Sequence, residues 1–276
     1  MWWFEQGLCA LPAALVVWTS AAFVFAYTTA VVLRHVDPLL PYISDTGTMA
    51  PERCVFGIML DVSAFLGVFT VYVRYKQVEA LSLDSHSRLL SLNRVGLFFG
   101  LLSSLGMCVV ANFQKTALFP IHLLGAVLTF GVGALYILVQ TLVSFWMQPE
   151  VHSKSLFKTR LMLTAWTFSS IICSILQTRD RPGLDLAYCD LGYSSQFWPG
   201  SIPGSGYLAH LVSTVSEWSL ALSFISFFLT FIRDFQKIEL RAEAVVQSPH
   251  LYDGPVGGVV SHRGAGEESP LLGGGT

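Results

Sequence analysis

Apolar and polar residues in this chain are segregated into long blocks and do not alternate singly. Apolar runs cover 8–33, 54–73, 95–111, 119–147, 161–177 and 207–232, separated by stretches richer in Pro, Gly and charged residues. Each run is close to the ~20 residues that cross a ~30 Å hydrocarbon layer as a helix. None shows the period-2 alternation of a barrel strand. In lipid every backbone N–H and C=O needs a partner within the protein, so such runs become helices. The pattern predicts an all-α fold: a polytopic six-helix transmembrane bundle with short loops.

The first run is too long for a signal-peptide core and has no basic stretch before it, so it is expected to stay in the membrane as a signal-anchor helix. Orientation follows from Lys and Arg, which collect on the cytosolic side of short loops. With the N-terminus in the cytosol, eleven of the 16 basic residues fall on that side. Both termini are therefore expected to be cytosolic. Residues 1–237 form the membrane domain, and residues 238–276, rich in Gly and Pro, are expected to be a flexible cytosolic tail too polar to bury a core.

Composition agrees with the pattern. The 276 residues are 53% hydrophobic and 12% charged, against roughly 25% charged in soluble domains, and mean hydropathy is +0.58. Net charge is −2 and long basic runs are absent, which removes the electrostatic footprint of a nucleic-acid binder. The lipid bilayer is the partner that the composition names.

Two acids lie well inside predicted spans, Asp61 and Glu217, and His210 sits two helical turns before Glu217 on the same face. An ionisable group at that depth costs a few kcal/mol, roughly 2.5–3.5 on insertion scales, so each acid should face protein or water. They read either as polar clamps between helices or as parts of an ion, proton or substrate path. Gly96 and Gly100 in the third span have the spacing of close helix packing, within one molecule or between copies.

Asp45-Thr46-Gly47 copies the tripeptide of aspartic proteases, whose chemistry needs two carboxylates sharing a proton. One copy is present. Its surroundings, Pro41 to Thr48, are full of turn-forming residues, and we read the segment as a loop whose Ser, Asp and Thr side chains cap local backbone donors. Paired Cys-x-x-Cys, His-Glu-x-x-His, Gly-rich phosphate loops and Gly-x-Ser-x-Gly elbows are absent, so we expect no catalytic residues, no metal and no cofactor. Of five cysteines, Cys54 and Cys189 lie near the non-cytosolic face and could pair in an oxidising compartment. In the tail, Glu267 stands four residues before Leu271 and Leu272, the spacing of an acidic dileucine signal read by cytosolic sorting adaptors.

Several separated blocks resemble a known family, the DNA damage-regulated autophagy modulators. They are Met1-Trp2-Trp3-Phe4, Trp18-Thr19-Ser20-Ala21-Ala22-Phe23, and the loop containing Pro41, Tyr42, Ser44, Asp45 and Gly47. Further on come Tyr72-Val73-Arg74-Tyr75-Lys76, Val110-Ala111-Asn112-Phe113-Gln114-Lys115, Glu217-Trp218-Ser219, and the stretch from Phe228 to Lys237. The resemblance implies a six-span, non-enzymatic protein of lysosomal and late endosomal membranes. It would promote autophagy and stress-linked apoptosis through contacts with other membrane or autophagy proteins. The alternative is a transporter or channel for an ion, lipid or small molecule, built on the intramembrane acids.

Overall fold

The computed structural model describes residues 7–39, 41–82, 87–149, 151–179, 204–236 and 238. The described residues are helical and contain six helices long and apolar enough to cross a membrane. The first, α1 (Ala10–Val32), follows a 3-10 turn at Gly7–Cys9. It ends where Arg34 adopts the left-handed conformation, φ 59°. The Arg34 N–H then reaches the Val31 carbonyl at 3.0 Å and the His35 N–H the Ala30 carbonyl at 2.8 Å. This pair of bonds is a Schellman cap.

Helix α2 (Glu52–Leu81) begins directly after Pro51, and α3 (Ser87–Asn112) returns against it. The fourth span is one rod in three parts, α4 (Phe119–Ala126), a π-helical turn at Val127–Val132, and α5 (Gly133–Trp146). The fifth is α6 (Lys154–Arg179). The sixth joins α7 (Gly204–Leu229) to the short α8 (Phe231–Phe235) through a turn at Thr230.

Three helices run further than the apolar runs predict. Helix α2 extends eight residues past 73, and α3 and α6 start before 95 and 161. The added turns carry Arg74, Asn93 and Arg160, all buried to within 1%. A hydropathy pattern ends at the first charges. A helix continues while its polar side chains find partners inside the protein.

The bundle turns its apolar surface outward. Val17, Val24, Ile58, Phe65, Phe98 and Met162 are each more than 60% exposed, while Ser63, Thr70, Ser144, Thr167 and Ser223 are fully buried. In water this distribution would be unstable. In a bilayer it is the favourable one, because lipid tails are as apolar as the core. The buried hydroxyls tie helices together: Thr19 to Ser63 at 3.0 Å, Thr141 to Thr164 at 2.8 Å, and Thr167 to Ser223 at 2.9 Å.

Gly96 and Gly100 pack within the molecule. A Cβ on Gly96 would meet Val139 and Gln140 at 3.1 Å, and one on Gly100 would meet Val71 at 2.5 Å. The stripe therefore lets α3 approach α2 and α5. The first and last spans are adjacent, since the Leu8 N–H donates to the Ile238 carbonyl at 3.0 Å. The N-terminal turn and the end of α8 thus lie on the same side of the bundle.

Candidate functional site

Polar side chains gather at the two opposite ends of the bundle. At the end where α1 leads into α2, the loop from Pro41 to Thr48 is held by α7. The Ile43 N–H donates to Glu217 Oε2 at 3.1 Å and the Ser44 N–H to Glu217 Oε1 at 3.3 Å. Next to Glu217, the Trp218 indole N–H donates to the Pro41 carbonyl at 2.8 Å. Consecutive side chains of α7 therefore fix the loop backbone from both sides.

Lys115, in the short turn between α3 and α4, closes the arrangement. Its ammonium reaches Asp45 Oδ1 at 3.3 Å and lies 4.3 Å from the centre of the Tyr42 ring. Burial works against the charge on Lys115, but the Asp45 and Glu217 carboxylates outweigh it and hold the ammonium well above the ordinary lysine range. Gly47 has no room for a side chain, because a Cβ there would fall 2.2 Å from the Phe56 ring. The Thr46 and Thr48 hydroxyls donate to the carbonyls of Ile43 and Asp45 at 2.7 and 2.9 Å. They cap acceptors, whereas capping of donors was expected; the donors at Ile43 and Ser44 are taken by Glu217.

The aspartic-protease resemblance of Asp45 ends here. Asp45 is paired with the Lys115 ammonium and Glu217 with two backbone N–H groups, partners unlike the single proton that a protease dyad shares. The other intramembrane acid, Asp61, accepts two bonds from the Asn112 amide, at 3.0 and 3.1 Å, and so links α2 to α3. Among the described residues the two acids have separate partners and do not join in one polar path. His210 lies in α7, but its side chain is outside the described residues. So are Cys189 and the tail motif Glu267, Leu271 and Leu272. Cys54 is an exposed free thiol at the start of α2.

The opposite end holds a cluster that the sequence reading missed. Arg74 of α2 and Arg160 of α6 are fully buried, and both point at Asp234 of α8. Arg160 Nη2 reaches Asp234 Oδ2 at 2.6 Å and Arg74 Nη1 reaches the same oxygen at 3.1 Å. His152, in the turn before α6, stands 3.6 Å from that oxygen. Burial pushes the His152 imidazole below its usual range, and the two guanidiniums push the same way against the opposing Asp234.

The other hydrogen bonds of the two guanidiniums go to neutral acceptors. Arg74 Nε donates to Gln140 Oε1 at 3.1 Å and Arg74 Nη1 to Gln77 Oε1 at 2.7 Å. Arg160 Nη1 donates to Ser144 at 2.6 Å and Nε to Thr230 at 3.0 Å. The Phe231 ring lies under both guanidiniums, 5.5 Å from Arg74 and 5.0 Å from Arg160. One cluster thus pins α2, α5, α6 and the last span together. The signal that could have found it is Gln140 and Ser144, one helical turn apart in an otherwise apolar span, which call for buried polar partners.

Among the described residues no group of His, Cys, Asp and Glu could hold a metal. A model of the Frag1/DRAM/Sfk1/Cwh43P N-terminal domain matches residues 7–238. The chain belongs to that family. Its Frag1/DRAM relatives include DNA damage-regulated autophagy modulator protein 2 from Homo sapiens, 52% identical over 92% of this chain and 93% of that protein. Protein 1 from Homo sapiens is 39% identical over 86% of this chain and 95% of its own length. The modulator of macroautophagy TMEM150B from Danio rerio is 26% identical over 83% and 86%. No solved structure matches the chain.

In this Frag1/DRAM chain the blocks that carried the resemblance acquire contacts. The Pro41 to Gly47 loop, Lys115 and Glu217-Trp218 form one latch. Arg74 and Asp234, from two blocks distant in sequence, form the other.

Proposed function

We propose that this chain modulates autophagy from the membrane of lysosomes and late endosomes, with both termini cytosolic. It would act through contacts with membrane and autophagy proteins and promote stress-linked apoptosis. The observation that carries this reading is the 52% identity, over nearly the whole of both chains, to a protein named as an autophagy modulator. Among the described residues, Asp61, Glu217, Arg74, Arg160 and Asp234 tie helices and loops together, which suits action through contacts.

Two experiments test it. In cells lacking the endogenous protein, re-expression should restore starvation-induced turnover of a lipidated autophagosome marker. A normal turnover without the protein and no change on re-expression would refute the role. Changing Leu271 and Leu272 to Ala should divert the protein to the cell surface if sorting adaptors read the tail. Unchanged lysosomal delivery would remove that part of the proposal.

A further inference from the structure

Among the described residues the other acids of the spans have strong partners. Glu52 has His35, Glu79 has Lys76, Asp234 has two arginines, and Glu217 takes two backbone N–H groups. Asp61 has donors but no cation. The Asn112 amide lies 3.0 and 3.1 Å from its two oxygens, and the Cys108 thiol, one turn before Asn112, also bonds it. No described basic side chain pairs with it.

Asp61 is partly exposed, and it lies on the outer side of the seam between α2 and α3. Ile58 and Phe65, one turn to either side of it on α2, are 64% and 62% exposed. On α3, Leu101, Leu105, Cys108 and Asn112 step by four, three and four residues along the same seam. That is the spacing against which a further helix packs. Lipid tails would cover the apolar part of this surface equally well, but they leave a carboxylate without a partner.

Depth narrows the choice of occupant. Lys76, half exposed near the other end of α2, marks one edge of the hydrocarbon layer. Asp61 stands fifteen residues away, about 22 Å along a helix, so it lies roughly 8 Å inside the far edge of a ~30 Å layer. Lipid headgroup charges stay above that edge, whereas a basic side chain on a spanning helix can stand at this depth. The seam also lies across the bundle from α6 and α7, whose main backbone contacts are with each other, α5 and α1.

We propose that the α2–α3 seam is a docking surface for a transmembrane helix of another protein, one that carries a lysine or arginine opposite Asp61. Charge complementarity selects the partner, and the apolar rows supply its packing. The inference needs the membrane bundle alone and is independent of the autophagy reading.

The test uses the full chain in phosphatidylcholine liposomes with a synthetic polyleucine helix of about 24 residues. The helix carries one lysine at the depth of Asp61 and a photoactivatable leucine beside it; a second version has leucine in place of the lysine. The lysine helix should crosslink saturably to peptides of α2 and α3, about tenfold more strongly than the leucine helix, the size expected of one polar contact between helices. Asp61→Asn keeps an oxygen for Asn112 and should erase that preference. The lysine–leucine comparison on the unaltered chain decides the matter even if Asp61→Asn fails to fold. Equal labelling by the two helices, an undiminished preference in Asp61→Asn, or labelling centred on other spans would each overturn the proposal. So would loss of the preference when phosphatidylethanolamine replaces part of the phosphatidylcholine, because the site would then belong to a lipid amine.

Discussion

Glu217 offers the sharpest test of how the loop is held. Replacing it with Leu keeps a residue suited to α7 and deletes both acceptors of the Ile43 and Ser44 N–H groups. A backbone donor left unpaired in a partly buried site costs about 1–3 kcal/mol, so two cost at least about 2 kcal/mol. Lys115 also loses one of the two carboxylates that stabilise its charge. At about 1.4 kcal/mol per factor of ten, opening of the loop becomes roughly 30-fold more frequent. Hydrogen–deuterium exchange of the peptide covering 41–48, measured in nanodiscs, reads this directly. Glu217→Gln keeps one acceptor and should fall between wild type and Leu. Exchange within threefold of wild type in Glu217→Leu would refute the reasoning, because the loop would then be held by Trp218 and its own turns.

Three further outcomes are expected. Asp234→Asn leaves two buried guanidiniums without a counter-charge and should cost about 3–5 kcal/mol, seen as a large drop in the melting temperature of detergent-solubilised protein, whereas a drop of a degree or two would show that the cations do not need it. Gly100→Ala drives a methyl to 2.5 Å from Val71 and should cost about 1–3 kcal/mol, while Gly131→Ala, whose nearest neighbour would be 3.7 Å away, should be neutral or stabilising; equal effects in a thermal-shift assay would contradict the packing. Because burial lowers the His152 pKa, the unfolded chain binds the proton more readily, and stability should fall as pH drops below the ordinary histidine value of about 6.5. His152→Gln should lose that part of the pH dependence, and an identical acid profile in the two proteins would exclude His152 as its source.

The six spans were legible because a run of apolar side chains near the thickness of a bilayer has few other fates. The site was less so. Glu217 was visible as an acid at depth, but its partners lie 173 and 174 residues away, and nothing local reveals such a pairing. Arg74 and Arg160 were counted among the charges that orient the chain, where an exposed and a buried arginine look the same. Only folding, by carrying α2 and α6 past their apolar runs and setting Asp234 between them, turns two topological markers into one buried cluster. The π-helical turn at Val127–Val132 left no trace in the spacing of apolar residues, because its neighbours are apolar on every side.

The bond between Leu8 and Ile238 has a bearing on how the molecule is made. Leu8 rests against a residue about 230 positions further along the chain, so the contacts between the first and last spans form only once α7 and α8 have been made. Until α7 is inserted, α1 must wait in the bilayer with that flank bare, and a chain stopped before α7 would keep it bare permanently. Cellular surveillance of unassembled membrane segments therefore has a simple feature to detect, and truncations that remove only the last span should be degraded about as thoroughly as early ones.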